Sequence, residues 1–171
     1  GINAGHRRVV DFEAGVLAHL MAVNIVGTMV CCREAARRMS TANGGAGGAI
    51  VNVSSMAGTI GGRPGASAYA ASKAAVDAFT VGFAKEVATE GIRVNALRPG
   101  VTITDMTAAV RDNAEVRASI EATIAMNRTA DPIEMAAPIV WLLSDEASFV
   151  SGARLDVSGG GFVIGASTSG K

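Results

Sequence analysis

Several residue types are scarce in this 171-residue chain, and each scarcity closes off a class of function. Cysteine occurs only at Cys31 and Cys32, neighbours in a helical stretch where successive side chains diverge, so no disulfide framework is possible. A reducing, cytoplasmic setting is expected. Neither sign of charge is in excess: 15 basic residues balance 15 acidic ones, scattered along the chain. That leaves no electrostatic footprint for nucleic acid or an anionic membrane, and neither is an expected partner. No uninterrupted apolar run reaches about 18 residues, so a soluble protein without a membrane span is expected. The two histidines, His6 and His19, have no companions at ligand spacing, and no metal site is predicted.

Glycine, by contrast, is plentiful, at 21 residues, and it clusters at Gly44–Gly48, Gly58–Gly65 and Gly159–Gly161 between apolar segments. Such clusters suit loops that turn tightly or approach a ligand. Apolar residues recur at three- and four-residue spacing from Phe12 to Met39, which predicts a long helix. Strands are predicted at Ala49–Ser55, Ile92–Leu97 and Arg154–Val157, with helices at Ala68–Thr89 and Pro132–Ser144. The last helix has a clear start, because Asp131 can cap it, Pro132 suits its first position and Glu134 completes a capping box. Pro138 inside it predicts a bend. Thr104–Arg128 is a weaker helical stretch, expected to form a flap. Alternation of strands with helices predicts a parallel sheet covered by helices, in which ligands bind beyond the carboxyl ends of the strands.

Tyr69 and Lys73 stand four apart on the second long helix and so share one face. A phenol titrating near pH 10 is a poor catalyst at neutrality, but a fixed cation beside it would lower that value and make a usable proton donor and acceptor. Taken alone, Tyr-x-x-x-Lys is a weak signal. Here Ser54-Ser55 closes the first strand and Arg98-Pro99-Gly100 breaks the chain after the second, so three segments are expected to converge on one rim.

These segments, with Val23–Gly27, Ile50–Ser55, Ile92–Gly100, Leu142–Asp145 and Val157–Gly160 in that order, make the chain resemble the short-chain dehydrogenases/reductases. The resemblance implies a Rossmann-like, doubly wound parallel sheet and an NAD- or NADP-dependent oxidoreductase acting on a small alcohol or carbonyl compound, sugar-like or 3-oxoacyl substrates among them. It further implies that Tyr69 is the general acid/base, that Lys73 lowers the Tyr69 pKa and binds the nicotinamide ribose, that Ser55 holds the substrate oxygen and that Asn24 bends its helix and holds a water. Pro99, Gly100 and Thr104 would border the nicotinamide and its phosphates, with Val101 and Thr102 on the same wall. The Ser55–Tyr69 interval is one residue longer than the family's commonest spacing, so Ser54 is the fallback for Ser55.

The family's first strand and its Gly-rich phosphate loop have no counterpart in the 171 residues. Gly1 matches the last glycine of the family's Asn-Asn-Ala-Gly motif better than Gly5 does. The chain is therefore expected to be a single partial domain, 1–171, the carboxyl-terminal two-thirds of roughly 250 residues, inactive and poorly soluble by itself. Apolar faces on the two long helices imply a homo-oligomer, with Met21, Met29 and Met39 in core or interface. The rival expectation is a non-catalytic dimerising or binding subunit on the same fold.

Overall fold

Val94, Ala96 and Leu97 have no exposed surface, because the strand that carries them lies between two others. In this computed structural model, which describes residues 1–162, strands β1 (Gly48–Val53), β2 (Ile92–Pro99) and β3 (Arg154–Val157) pair in parallel in the order β1-β2-β3. Gly48 is opposite Ile92 and Val53 opposite Leu97, while Ala96 is opposite Arg154. Residues 163–171 of the expected single domain lie outside the described residues.

Long helix α1 runs over Ala14–Met39, with Ala22–Val26 wound as a π-helix. The short α2 (Ala57–Ile60) and the long α3 (Ser67–Val87) follow β1. Helices α4 (Ala108–Asp112) and α5 (Ala114–Glu121) lie in the stretch expected to form a flap, and α6 (Pro132–Leu143) precedes β3. Ala36 of α1, Ala84 and Val87 of α3, and Ile92 and Val94 of β2 make one core cluster, with Met39, Ile50 and Phe83 against it. Gly58 permits α2 to lie on α3, because a Cβ there would come within 2.8 Å of the Ala74 nitrogen.

Several buried polar groups are paired across elements, which offsets their desolvation. The Cys32 thiol donates to Asn52 Oδ1, and Asn52 donates to Thr80, so this cysteine joins α1, β1 and α3 without bonding to the exposed Cys31. Arg93 donates to the carbonyls of Leu142 and Ser144, capping the carboxyl end of α6 with a cation where the helix dipole favours one. The Asp131–Glu134 capping box forms as the sequence predicts, and Pro138 lies inside the helix.

Three expectations change. Helix α1 starts at Ala14 rather than Phe12, since Phe12 is extended and closes a separate 3-10 turn. Strand β1 stops at Val53, and β2 continues to Pro99 because Arg98 and Pro99 still pair with Asp156 and Val157. Finally, α1 is long and apolar enough to cross a membrane by length and composition. Counting unbroken apolar runs misses it, because His19, Asn24 and Thr28 interrupt the run without making the helix polar. In this fold α1 buries Leu20, Asn24, Cys32 and Ala36 against the rest of the chain.

Candidate active site

The carboxyl ends of β1 and β2 open onto a cavity of about 490 Å³. Ser54, Ser55, Tyr69, Lys73, Gly100 and Thr104 are among its lining residues, together with Pro99, Val101 and Thr102. The serine, phenol and ammonium singled out in the sequence therefore meet at one place.

Two reciprocal bonds fasten α3 to the end of β1. Lys73 Nζ donates to the Val53 carbonyl at 2.9 Å, and Ser54 Oγ donates to the Lys73 carbonyl at 3.0 Å. Ser54 is thereby buried and committed, which removes it as the fallback. The Ser55 hydroxyl accepts the Ala57 amide at 3.1 Å and lies against the Tyr69 phenol. Burial pushes the phenol above its ordinary pKa, and the Ser55 contact pulls it partly back. The Lys73 ammonium sits over the Tyr69 ring, 5.8 Å from the ring centre, and is aimed at the Val53 carbonyl. Burial pushes the ammonium itself down, opposed by the Asp77 carboxylate one turn on.

Asn24 occupies the π-helical turn of α1. Its carboxamide bonds to protein groups on both sides. Oδ1 accepts the Ile2 amide at 2.8 Å, while Nδ2 donates to the Ile2 carbonyl at 2.9 Å and to Ser72 Oγ at 3.0 Å. Gly1 then passes so close that a Cβ would lie 2.9 Å from Asn24 Oδ1 and 3.1 Å from Lys73 Nζ.

The wall after β2 is equally ordered. Gly100 is needed for packing, since a Cβ would come within 2.8 Å of Ser158 Cα. Thr102 is buried and bridges to Ala130, and the Thr104 hydroxyl takes part in a capping box with Thr107. An ammonium has three donors, and Lys73 spends one on Val53, leaving two for hydroxyls such as those of a ribose. The donor set and the cavity fit the nicotinamide end of a dinucleotide.

His6, Met56, Arg63, Met106, Met135 and Phe162 also line the cavity, and the sequence reading gave none of them a role there. Position alone could have raised Arg63, which lies in the glycine-rich loop between Ser55 and Tyr69.

A helix-covered parallel sheet with serine, phenol and ammonium gathered at its carboxyl edge defines a Rossmann-type fold with its site where such folds hold ligands. Comparison with known proteins makes this specific. A family model described as Enoyl-(Acyl carrier protein) reductase matches residues 1–161, and the chain belongs to the short-chain dehydrogenase/reductase family. It is 45% identical over 152 residues to the uncharacterized oxidoreductase YgfF of Escherichia coli, covering 89% of this chain and 61% of that protein. A 4-hydroxyisoleucine dehydrogenase mutant complexed with NADH and succinate matches with a TM-score of 0.87 at 29% identity, over 100% of this chain and 66% of that one. A gluconate 5-dehydrogenase from Burkholderia cenocepacia, in complex with NADP and tartrate, matches with a TM-score of 0.86 at 31% identity, over 94% of this chain and 61% of that one. The chain thus spans between three fifths and two thirds of the length of these proteins.

Proposed function

We propose that these residues form the catalytic part of an NAD- or NADP-dependent oxidoreductase that interconverts a small alcohol and its carbonyl compound. The observation that carries this reading is the meeting of Ser55, Tyr69 and Lys73 at the carboxyl edge of the sheet in one cavity. Nicotinamide, when bound, would supply or accept the hydride. In reduction the Tyr69 phenol donates its proton to the carbonyl oxygen, and in oxidation the phenolate takes the proton of the alcohol. The Ser55 hydroxyl donates a hydrogen bond to the same oxygen. Lys73 holds ribose hydroxyls with its two remaining donors, and Pro99, Gly100, Val101, Thr102 and Thr104 form the wall beside the nicotinamide. Asn24 keeps Ile2 and Ser72 fixed behind Lys73.

Two of the similar structures were solved with a small dicarboxylate and a nicotinamide cofactor, which supports a small polar substrate. The proposal extends to a cytoplasmic setting, supported by the two free cysteines, and to assembly with further copies through α1, where Val23, Val26, Met29 and Val30 are exposed.

Replacing Tyr69 by Phe in the complete protein tests the chemistry. The fold should persist by circular dichroism while turnover falls about 10²- to 10⁴-fold. Because burial raises the phenol pKa, the reducing direction should stay flat below that value and alcohol oxidation should climb with pH through the alkaline range. Unchanged turnover in Tyr69→Phe would remove Tyr69 as the proton donor, and a complete unaltered protein without turnover would leave the binding-subunit reading in its place.

A further inference from the structure

Arg63 and Lys73 line the cavity, and among the described residues no aspartate or glutamate does. Lys73 is accounted for by Val53 and by the ribose role. Arg63 is not: it is half-buried, and among the described residues it makes no ion pair. A guanidinium carries five N–H donors, and the structure assigns one of its bonds, from Nη2 to Thr123 Oγ1 at 2.8 Å.

Nor is Arg63 a loose surface arginine. Its guanidinium lies over the Phe162 ring, 5.5 Å from the centre, and its carbonyl accepts the Ala66 amide at 2.9 Å. Two residues on, the Gly65 carbonyl accepts the Arg7 amide at 3.1 Å, tying the loop to the amino-terminal segment. The side chain is thus held by the Thr104–Arg128 stretch through Thr123, by the carboxyl-terminal segment through Phe162 and by its own loop. A fixed, partly desolvated guanidinium without a counter-ion suits a planar anion, which it can grip with two parallel bonds.

We propose that Arg63 anchors an anion subsite, so that the substrate carries a carboxylate at the end remote from its reacting carbon. This rests on the oxidoreductase reading above and adds the substrate class. The loop places Arg63 between Ser55 and Tyr69 in the chain and on the same cavity, so one small molecule can present its oxygen to the hydroxyls and its carboxylate to the arginine. A dinucleotide phosphate offers similar chemistry, and the experiment separates the two sources.

The complete protein is titrated calorimetrically with succinate, glutarate and adipate, with their dimethyl esters and with NADH, using the unaltered sequence, Arg63→Gln and Arg63→Lys. At least one dicarboxylate should bind the unaltered protein and bind Arg63→Gln about 10- to 100-fold more weakly. Arg63→Lys, which keeps the charge but loses the fork, should fall between them and serves if the glutamine variant does not fold. The esters should be indifferent to the substitution, and NADH affinity should hold within about threefold. The proposal is overturned if no dicarboxylate binds, if acids and esters weaken alike, or if Arg63→Gln weakens NADH while sparing the acids. None of these readings needs turnover, so a failed Tyr69 test and a failed Arg63 test are told apart.

Discussion

Replacing Arg98 by Met should cost far more than the loss of a surface charge. Arg98 Nε meets Asp77 Oδ2 at 2.9 Å, and the two side chains are only 14% and 6% exposed. The other carboxylate oxygen, Oδ1, is buried with no hydrogen-bond partner among the described residues, so the arginine supplies the direct bond that offsets the desolvation of Asp77. Removing one partner of a buried pair leaves an uncompensated charge, at a cost of about 3–5 kcal/mol. The second contact, Arg98 Nη1 to the half-exposed Asp156 at 3.2 Å, adds at most about 1 kcal/mol. For a chain of this size the loss corresponds to a Tm lower by roughly 6–20 °C. Denaturant and thermal melts of Arg98→Met and of the double variant Asp77→Leu/Arg98→Met measure it. The double variant should recover most of the loss, because two apolar side chains replace the pair without stranding a charge. A single variant that loses less than about 1 kcal/mol, or a double variant no better than the single, would refute the argument. The pair also bears on the site: Asp77 follows Lys73 by one turn and its charge opposes the downward pull of burial on the ammonium.

The two adjacent serines should part company. Ser55→Ala should leave the melting curve nearly unchanged and lower turnover about a hundredfold through loss of a donor to the substrate oxygen, whereas Ser54→Ala should cost about 1 kcal/mol by freeing the buried Lys73 carbonyl. Equal effects of the two on turnover would contradict the assignment. For assembly, Val26→Glu with Val30→Glu places two charges on the exposed stripe of α1. Light scattering should show a multimer for the unaltered complete protein and a smaller species for the variant, and a monomer in both cases would sink the idea.

The elements legible in the sequence were those whose signals are local. Strand β3 has the bounds its apolar pattern predicts, and α6 starts where Asp131, Pro132 and Glu134 announce it. Boundaries slipped where pairing across the sheet outweighed local breakers, as at Pro99, which stays in β2 because its partner Val157 is in place. The π-turn at Asn24 left no mark in the spacing of apolar residues, since one widened turn barely shifts a stripe. Short helix Ala57–Ile60 was hidden under glycines that suggested a loop. In the site, Ser55, Tyr69 and Lys73 could be found because they lie on predicted edges and faces. Arg63 lies in the right loop, but Thr123 and Phe162, which hold its guanidinium, are distant in sequence and approach only through the fold.

The same long-range logic explains how the phenol is positioned. Tyr69 makes few anchoring bonds of its own, but the residues of its helix turn do. Ser72 Oγ donates to the Tyr69 carbonyl and accepts from Asn24, and Lys73 is bolted to Val53 and Ser54 from both its side chain and its backbone. Asn24 in turn holds Ile2 through both halves of its carboxamide. One helix turn thus joins α1, β1 and the amino-terminal segment, and the orientation of the phenol follows from the intersection of these bonds. A site set by such a junction tolerates variation in the loop that carries Arg63, which can alter what is bound without moving the phenol.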